Sequence, residues 1–323
     1  MKILFFCRRF YPLVGGVEKH VFELSKQLIA MGHEVTLITE SAKNANKKSE
    51  IIAGIAIYRI DVGEENKDKK YRIWKNLWNL REQIKEADIV HCHDVFFWYL
   101  PFRLLYSLKP VYTTFHGYES YPIKKKAILI RKLSEKLSRG NICIGDFIPK
   151  WYGTKATYVS YGAASLSSRA KSRDLSFKNM IASAVFMGRL DTQTGISTYV
   201  QAVESLRKKY QAFTFLVIGD GPEKKKILRK QVKITGFIKD PERYFASYRY
   251  AFVSRYLSII EAMLTKRLIF AVYDNPVKED YLKLAPFAHM IVIVSDAKEL
   301  TEKVDYFLKH PNEEKKLIAS AYD

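Results

Sequence analysis

The sequence predicts an α/β protein built from two doubly wound parallel-sheet domains in series, and three observations carry that reading. The chain has 323 residues of which 48% are hydrophobic, more than one core comfortably holds and too little for three. Short β-branched and apolar runs alternate with longer helical patterns, as βαβ units require. The serine-rich, basic stretch 163–180 follows neither period, as an interdomain linker should. The domains are accordingly expected at 1–165 and 176–323, the second one truncated at its end.

In the first half, strands are predicted at 2–6, 34–39, 55–60, 88–93, 110–115, 141–145 and 157–162. The first of them, KILFF, runs into FYPLVGGVEKH, where Gly15 and Gly16 precede a helix with apolar positions Val17, Val21, Leu24 and Leu28. Backbone N–H groups at such a helix start can cradle phosphate, and the helix dipole favours an anion there; the same pattern also serves as a plain strand-to-helix turn. Residues 72–85 place Ile73, Leu77, Leu80 and Ile84 on one stripe, which predicts a core-facing helix. Residues 122–139 hold seven basic residues and one acidic, with Ile128, Leu129, Leu133 and Leu137 as apolar positions. That segment reads either as a solvated helix face or as a patch for an anionic membrane surface, led by Lys124, Lys125, Lys126, Arg131 and Lys132. In the second half, strands are predicted at 183–188, 213–219, 232–237, 250–254, 268–273 and 290–295. Doubly wound sheets bind ligands in crevices at strand C-termini, so the site is expected in a cleft between the domains.

Composition narrows the function classes. A formal charge of +20 attracts phosphate-bearing partners but does not choose among nucleotide, anionic lipid and nucleic acid. No reading motif with interleaved stacking aromatics is present, so nucleic acid is not expected. Cys7, Cys92 and Cys143 sit in apolar runs without CxxC or zinc-type spacing, which predicts buried thiols in a reducing, cytoplasmic setting. The opening MKILFF is too short and too soon followed by Arg8 and Arg9 to act as a signal h-region. No uncharged apolar stretch approaches the roughly 20 residues that span a bilayer, so attachment at the inner face of a membrane would be peripheral. No DxD pair or His/carboxylate cluster is visible in the sequence, so no metal and no resident cofactor is expected.

FYPLVGGVEKHVFELSKQLIAMGHEVTLIT resembles the opening of the large retaining, GT-B-fold family of nucleotide-sugar glycosyltransferases, the family four or group 1 enzymes. DIVHCHD (88–94), TTFHG (113–117), FMGRLD (186–191), FLVIGDGPEKKKIL (215–228) and IEAM (260–263) agree with it in family order. The resemblance implies two Rossmann-like domains facing a cleft, and transfer of a hexose from a nucleoside diphosphate sugar to an acceptor hydroxyl. The expected setting is glycolipid, polysaccharide or other cell-envelope glycan synthesis, with a glycan or lipid-linked acceptor. It carries donor contacts onto Gly15, Gly16, Gly219 and Arg189, sets His116 beside the transferred sugar and puts Glu261 on the ribose hydroxyls. Arg189 suits its part because a guanidinium fork can hold two diphosphate oxygens as charge develops on the leaving group.

Two positions depart from the family pattern. Thr194 stands where a second diphosphate cation, a lysine, is usual, and Val253 stands where the first of two glutamates is usual. These losses motivate a second reading, a catalytically impaired GT-B-like binding subunit. The segment SIIE (258–261) is open in the same way. Ser258 and Glu261 could form a capping box, or Glu261 could meet the ribose while the amides of Ser258 and Ile259 face the phosphate.

Overall fold

A computed structural model of the chain describes residues 1–12, 15–41, 48–162, 182–230, 232–238 and 240–322. The expected linker, 163–180, lies outside the described residues. The chain divides into two compact units, Met1–Ser160 and Tyr161–Asp323.

The first unit carries strands β1 (Lys2–Cys7), β2 (Glu34–Glu40), β3 (Ser49–Ile52), β4 (Ile55–Ile60), β5 (Ile89–His93), β6 (Val111–Phe115), β7 (Gly140–Ile144) and β8 (Tyr158–Ser160). Its helices are α1 (Gly16–Ala30), α2 (Lys69–Asn79), α3 (Arg81–Glu86), α4 (Phe96–Leu105), α5 (Lys125–Leu137) and α6 (Phe147–Tyr152). The strands form one sheet in the order β3-β4-β2-β1-β5-β6-β7-β8. Because β1 is covered on both faces, it reads as a nearly unbroken apolar run. Ile3, Phe5 and Cys7 face α1 with Val21, while Leu4 and Phe6 face Trp98, Tyr99 and Phe102 of α4. β1 pairs in parallel with β2 on one side and β5 on the other, Cys7 lying opposite His93. The winding reverses there, so the loops after β1 and β5 meet at the switch point where doubly wound sheets hold ligands.

Every predicted strand of this half is present, and β3 is an addition. It pairs antiparallel with β4 through Ala53 and Gly54, both at positive φ, as a two-residue primed turn demands. The predicted stripe Ile73, Leu77 and Ile84 is buried, but its helix breaks at Leu80 into α2 and α3.

The second unit carries β9 (Ser183–Met187), β10 (Thr214–Ile218), β11 (Lys233–Ile234), β12 (Tyr250–Phe252), β13 (Leu268–Val272) and β14 (Val292–Val294). Its α-helices are α7 (Ile196–Lys209), α8 (Lys224–Leu228), α9 (Tyr256–Leu264), α10 (Pro276–Lys283), α11 (Ala297–Lys309) and α12 (Pro311–Tyr322). The sheet is parallel throughout, in the order β11-β10-β9-β12-β13-β14. Phe186, Phe252 and Phe270 pack around Tyr199 of α7, whose hydroxyl donates to the Phe270 carbonyl at 2.9 Å. Here β9 is flanked by β10 and β12, so the switch point lies after β9 and β12. Among the described residues no helix is long and apolar enough to cross a membrane, and the three cysteines are buried and unpaired.

Candidate active site

At the switch point of the first unit, three elements bring imidazoles together. His20 comes from the first turns of α1, His93 ends β5 and His116 follows β6. His93 Nδ1 and His116 Nε2 are 2.9 Å apart, a hydrogen bond, and the His20 ring centroid lies 5.9 Å from that of His93 and 5.1 Å from that of His116. Behind them His91 stacks on His93 at 4.4 Å and its Nε2 meets the Thr114 hydroxyl at 2.7 Å. Desolvation holds all four rings toward the neutral form, lowering the pKa of His20, bringing His91 down to about 3 and driving His93 and His116 well below the ordinary value. Asp94 follows His93 at φ 60, a left-handed conformation that Asp tolerates better than most residues. There its carboxylate accepts the His116 amide N–H at 3.0 Å. Protein crowds that carboxyl, and its pKa rises above the ordinary range although the residue keeps contact with solvent.

Arg131 of α5 braces the loop that carries His116. Its guanidinium donates to the Gly117 carbonyl and, at 2.9 Å, to Glu119, and lies 3.8 Å over the Tyr152 ring. Tyr152 completes the brace by donating to Glu119 at 2.6 Å.

The second unit assembles backbone and cations. β9 ends at Gly188, and Arg189 follows with an exposed side chain whose Nε is 3.2 Å from Asp191. Thr194, buried, donates from its hydroxyl to the carbonyls of Arg189 and Asp191 at 2.8 Å each, while Asp191 caps the turn by accepting the Thr194 amide at 3.1 Å. The Thr194 carbonyl accepts the Ser254 hydroxyl at 2.9 Å, which ties the Arg189 turn to the end of β12. Arg255, next along, donates to Gln193 at 2.7 Å. Beneath it Lys278 of α10 is buried, donating to the Ser254 carbonyl over the Tyr281 ring. Desolvation, with help from Arg255, lowers that lysine's pKa well below its ordinary value. Gly195 starts α7 at φ +73, and a Cβ there would lie 2.1 Å from Val272 Cγ2, so only glycine fits.

The family models match both units. The description Glycosyltransferase Family 4 fits residues 14–148, and Glycosyl transferases group 1 fits residues 182–310. The chain belongs to the group 1 glycosyltransferases. Its relatives include the phosphatidylinositol N-acetylglucosaminyltransferase GPI3 subunit of Saccharomyces cerevisiae, 24% identical over 244 residues, covering 68% of this chain and 53% of that protein. The alpha-monoglucosyldiacylglycerol synthase of Acholeplasma laidlawii is 25% identical over 287 residues, covering 75% of this chain and 71% of that one. The chain thus spans about half the length of the curated relatives it first matches. Among solved structures, sucrose-phosphate synthase from Thermosynechococcus elongatus superposes with TM-score 0.75 at 13% identity over 99% of this chain and 93% of its own. Anabaena HepE in complex with UDP-glucose gives 0.74 at 14% identity, over 100% and 93%. These likenesses share the GT-B fold.

Within this group 1 chain the sequence-predicted residues fall as follows. Gly15 caps α1 with extended backbone and Gly16 has open space about its Cα. Gly219 has a packing reason of its own, since a Cβ there would lie 1.8 Å from the Gly188 carbonyl oxygen. Glu261 is buried in α9. Three expectations are corrected. The capping box is not formed, because α9 begins at Tyr256 and its cap is Arg255 without a side-chain hydrogen bond, leaving Ser258 inside the first turn. The Ile259 amide does not face a ligand, because it donates to the Arg255 carbonyl at 2.9 Å; of the other first-turn amides, which lack an intrahelical acceptor, that of Tyr256 donates to the Tyr281 hydroxyl at 2.8 Å, which leaves those of Leu257 and Ser258. Arg131 does not belong to a surface patch, because it is buried in the brace just described.

That last correction inverts α5. Arg131 and Ser134 face inward while Leu129, Ile130 and Leu133 are exposed beside Lys124, Lys125 and Lys126. Lys132 lies between, donating to the Gly153 carbonyl and 3.3 Å from Glu135. Sequence reasoning also missed His20, His93, Arg255 and Lys278. The histidines carried a signal, HxHD at a strand end with a third histidine after the next strand, that only parallel pairing of β5 and β6 turns into a cluster.

Proposed function

We propose that this chain transfers a hexose from a nucleoside diphosphate sugar to an acceptor hydroxyl, with retention of anomeric configuration and by a step that needs no metal. The observation that carries the reading is the Arg189 turn, an exposed guanidinium at a strand switch point, held by Thr194 and capped by the start of α7. In this reading Arg189 takes the diphosphate with the amides of Leu257 and Ser258. Arg255 supplies the second cation that Thr194 does not. Glu261 takes the ribose hydroxyls and His116 the sugar. The anomeric C–O bond to the diphosphate breaks as the acceptor oxygen arrives on the same face, and the acceptor proton passes to the departing phosphate oxygen. Charge on that leaving group is what Arg189 stabilises.

The acceptor is proposed to be lipid-linked, in glycolipid synthesis at the inner face of a membrane. Relatives with lipid names support this, as does the exposed face of α5 that sets apolar Leu129, Ile130 and Leu133 beside three lysines. The test is calorimetry with nucleoside diphosphates and their sugars, followed by a transfer assay on lipid acceptors. Binding should be detected in the wild type, and Arg189→Ala should weaken it by about 1.5–3 kcal/mol, the range for a charge-assisted contact. Equal affinity in both would remove Arg189 from the site. Binding without turnover would favour the impaired-subunit reading.

A further inference from the structure

The first unit holds a group of ligating side chains that the proposed transfer does not use as a group. One ring nitrogen from each of His20, His93 and His116 lies within 4.8 Å of one from both others. We propose that these three histidines form a binding site for a first-row divalent cation of the zinc class, with its fourth position open.

Several independent features point the same way. Three imidazoles and an open position form one of the donor sets zinc takes in proteins, and ligand nitrogens about 2.0–2.1 Å from the metal stand about 3.3 Å from one another in a tetrahedron. The His93–His116 pair, at 2.9 Å, is already near that separation, so only His20 has to approach. His20 is half-buried on α1, whereas His93 is buried between Phe5 and His91 with ring contacts on both sides. Burial favours the neutral rings that a metal needs as ligands. The one guanidinium that acts on His116 electrostatically is that of Arg131. Its charge is already engaged, by the Gly117 carbonyl and the Glu119 carboxylate. When the metal binds, the proton shared between His93 and His116 moves to the outer nitrogen of its ring, and no other group is consumed.

A cation held there occupies His116 and so competes with the sugar. That consequence rests on the proposed transfer; the metal site does not.

The experiment titrates the full chain, stripped with chelator, with cobalt(II), whose tetrahedral imidazole complexes absorb in the visible range. One equivalent should bind with a visible band, and zinc added afterwards should bleach it. His20→Asn should weaken cobalt binding at least about 100-fold, more than the outer-shell range of about 10–100-fold, and His289→Gln, in the other unit, should leave it unchanged. His20→Asn changes a half-buried helix position of the first unit, and an unchanged far-UV circular dichroism spectrum with an unchanged melting transition of that unit verifies its folding; should it fail to fold, His20→Gln gives the same reading. Absence of a one-equivalent band in the wild type, or a band that survives loss of His20, overturns the site. Failure of the transfer reading would show instead as absent nucleotide binding with the cobalt band intact.

Discussion

At the switch point of the first unit four imidazoles cluster, His91 and His93 buried against Phe5 of β1 and His20 and His116 half-buried beside them, with one carboxylate and one braced guanidinium nearby. At the switch point of the second, the same topology presents an exposed arginine, a cap and a helix start, with cations held on carbonyls. The first arrangement is sensitive to protons and metals because neutral rings are cheap to bury and costly to charge. The second is sensitive to backbone geometry because its donors are positioned by a turn with no slack. One sheet pattern therefore yields two sites of different chemical temperament, decided by which residues follow the strands.

Acidification should separate them most. Burial lowers the folded-state pKa of His20, His91, His93 and His116 below the unfolded value near 6.5. Unfolding therefore takes up protons below that pH, so the stability of the first unit is full above about 6.5 and is lost as pH falls. Each such ring contributes up to about 1.4 kcal/mol per pH unit. Asp94, pushed up to about 6, opposes them as a single group. The second unit's histidines, His289 and His310, are exposed. Calorimetric scans in chelator from pH 7.5 to 5 should resolve a falling transition from a flatter one; two transitions moving together would break the comparison.

Gly195→Ala should be the largest single substitution in the second unit. A left-handed non-glycine residue costs about 1–2 kcal/mol and forcing its Cβ onto Val272 about 1–3 more. The loss should appear in the melting of that unit and in nucleotide affinity together. A variant that melts normally would mean that the α7 start has room to relax.

How much of this was legible in advance follows the same division. Thirteen strands were readable because buried parallel strands are continuous apolar runs; β3 was not, because its turn is Ala53-Gly54 and not an Asn-Gly signal. Arg189 was readable from a local motif. The histidine group was not, because His20, His93 and His116 are distant in sequence and only the β1-β5-β6 order brings them together. The inward turn of Arg131 was hidden for a related reason. Helical periodicity assigns the apolar side to the core, and nothing local announces that Gly117 and Glu119 will be waiting for a guanidinium.

Arg255→Gln sharpens the proposal that the second unit replaces the cation missing at Thr194. The expected loss of nucleoside diphosphate affinity is about 1.5 kcal/mol, the low end for a charged contact, since Arg255 is already engaged by Gln193. Measured beside Arg189→Ala, it should be the weaker of the two. An unchanged affinity would restrict the diphosphate contact to Arg189 and the α9 amides.

The smallest effect per residue concerns α5, where the first unit again differs from the second by what it leaves outside. Lys124, Lys125 and Lys126 should each contribute about 1 kcal/mol of attraction near an anionic surface, and Leu129, Ile130 and Leu133 add apolar area that sits in the headgroup boundary. Arg131 contributes nothing directly, being buried. Charge and apolar contact respond differently to salt, because the Debye length shrinks from about 10 Å at 0.1 M to about 3 Å at 1 M while hydrophobic contact is not screened. Co-sedimentation with anionic vesicles should therefore be strong at low salt and reduced but not abolished at 1 M. Changing the three lysines to glutamine should remove the salt-sensitive part, and Leu129→Ser with Leu133→Ser should remove the remainder. Neutral vesicles should retain only the second part. If the wild type ignores anionic vesicles at low salt while still binding nucleotide, the apolar face of α5 serves some other contact and a water-soluble acceptor takes the place of the lipid-linked one.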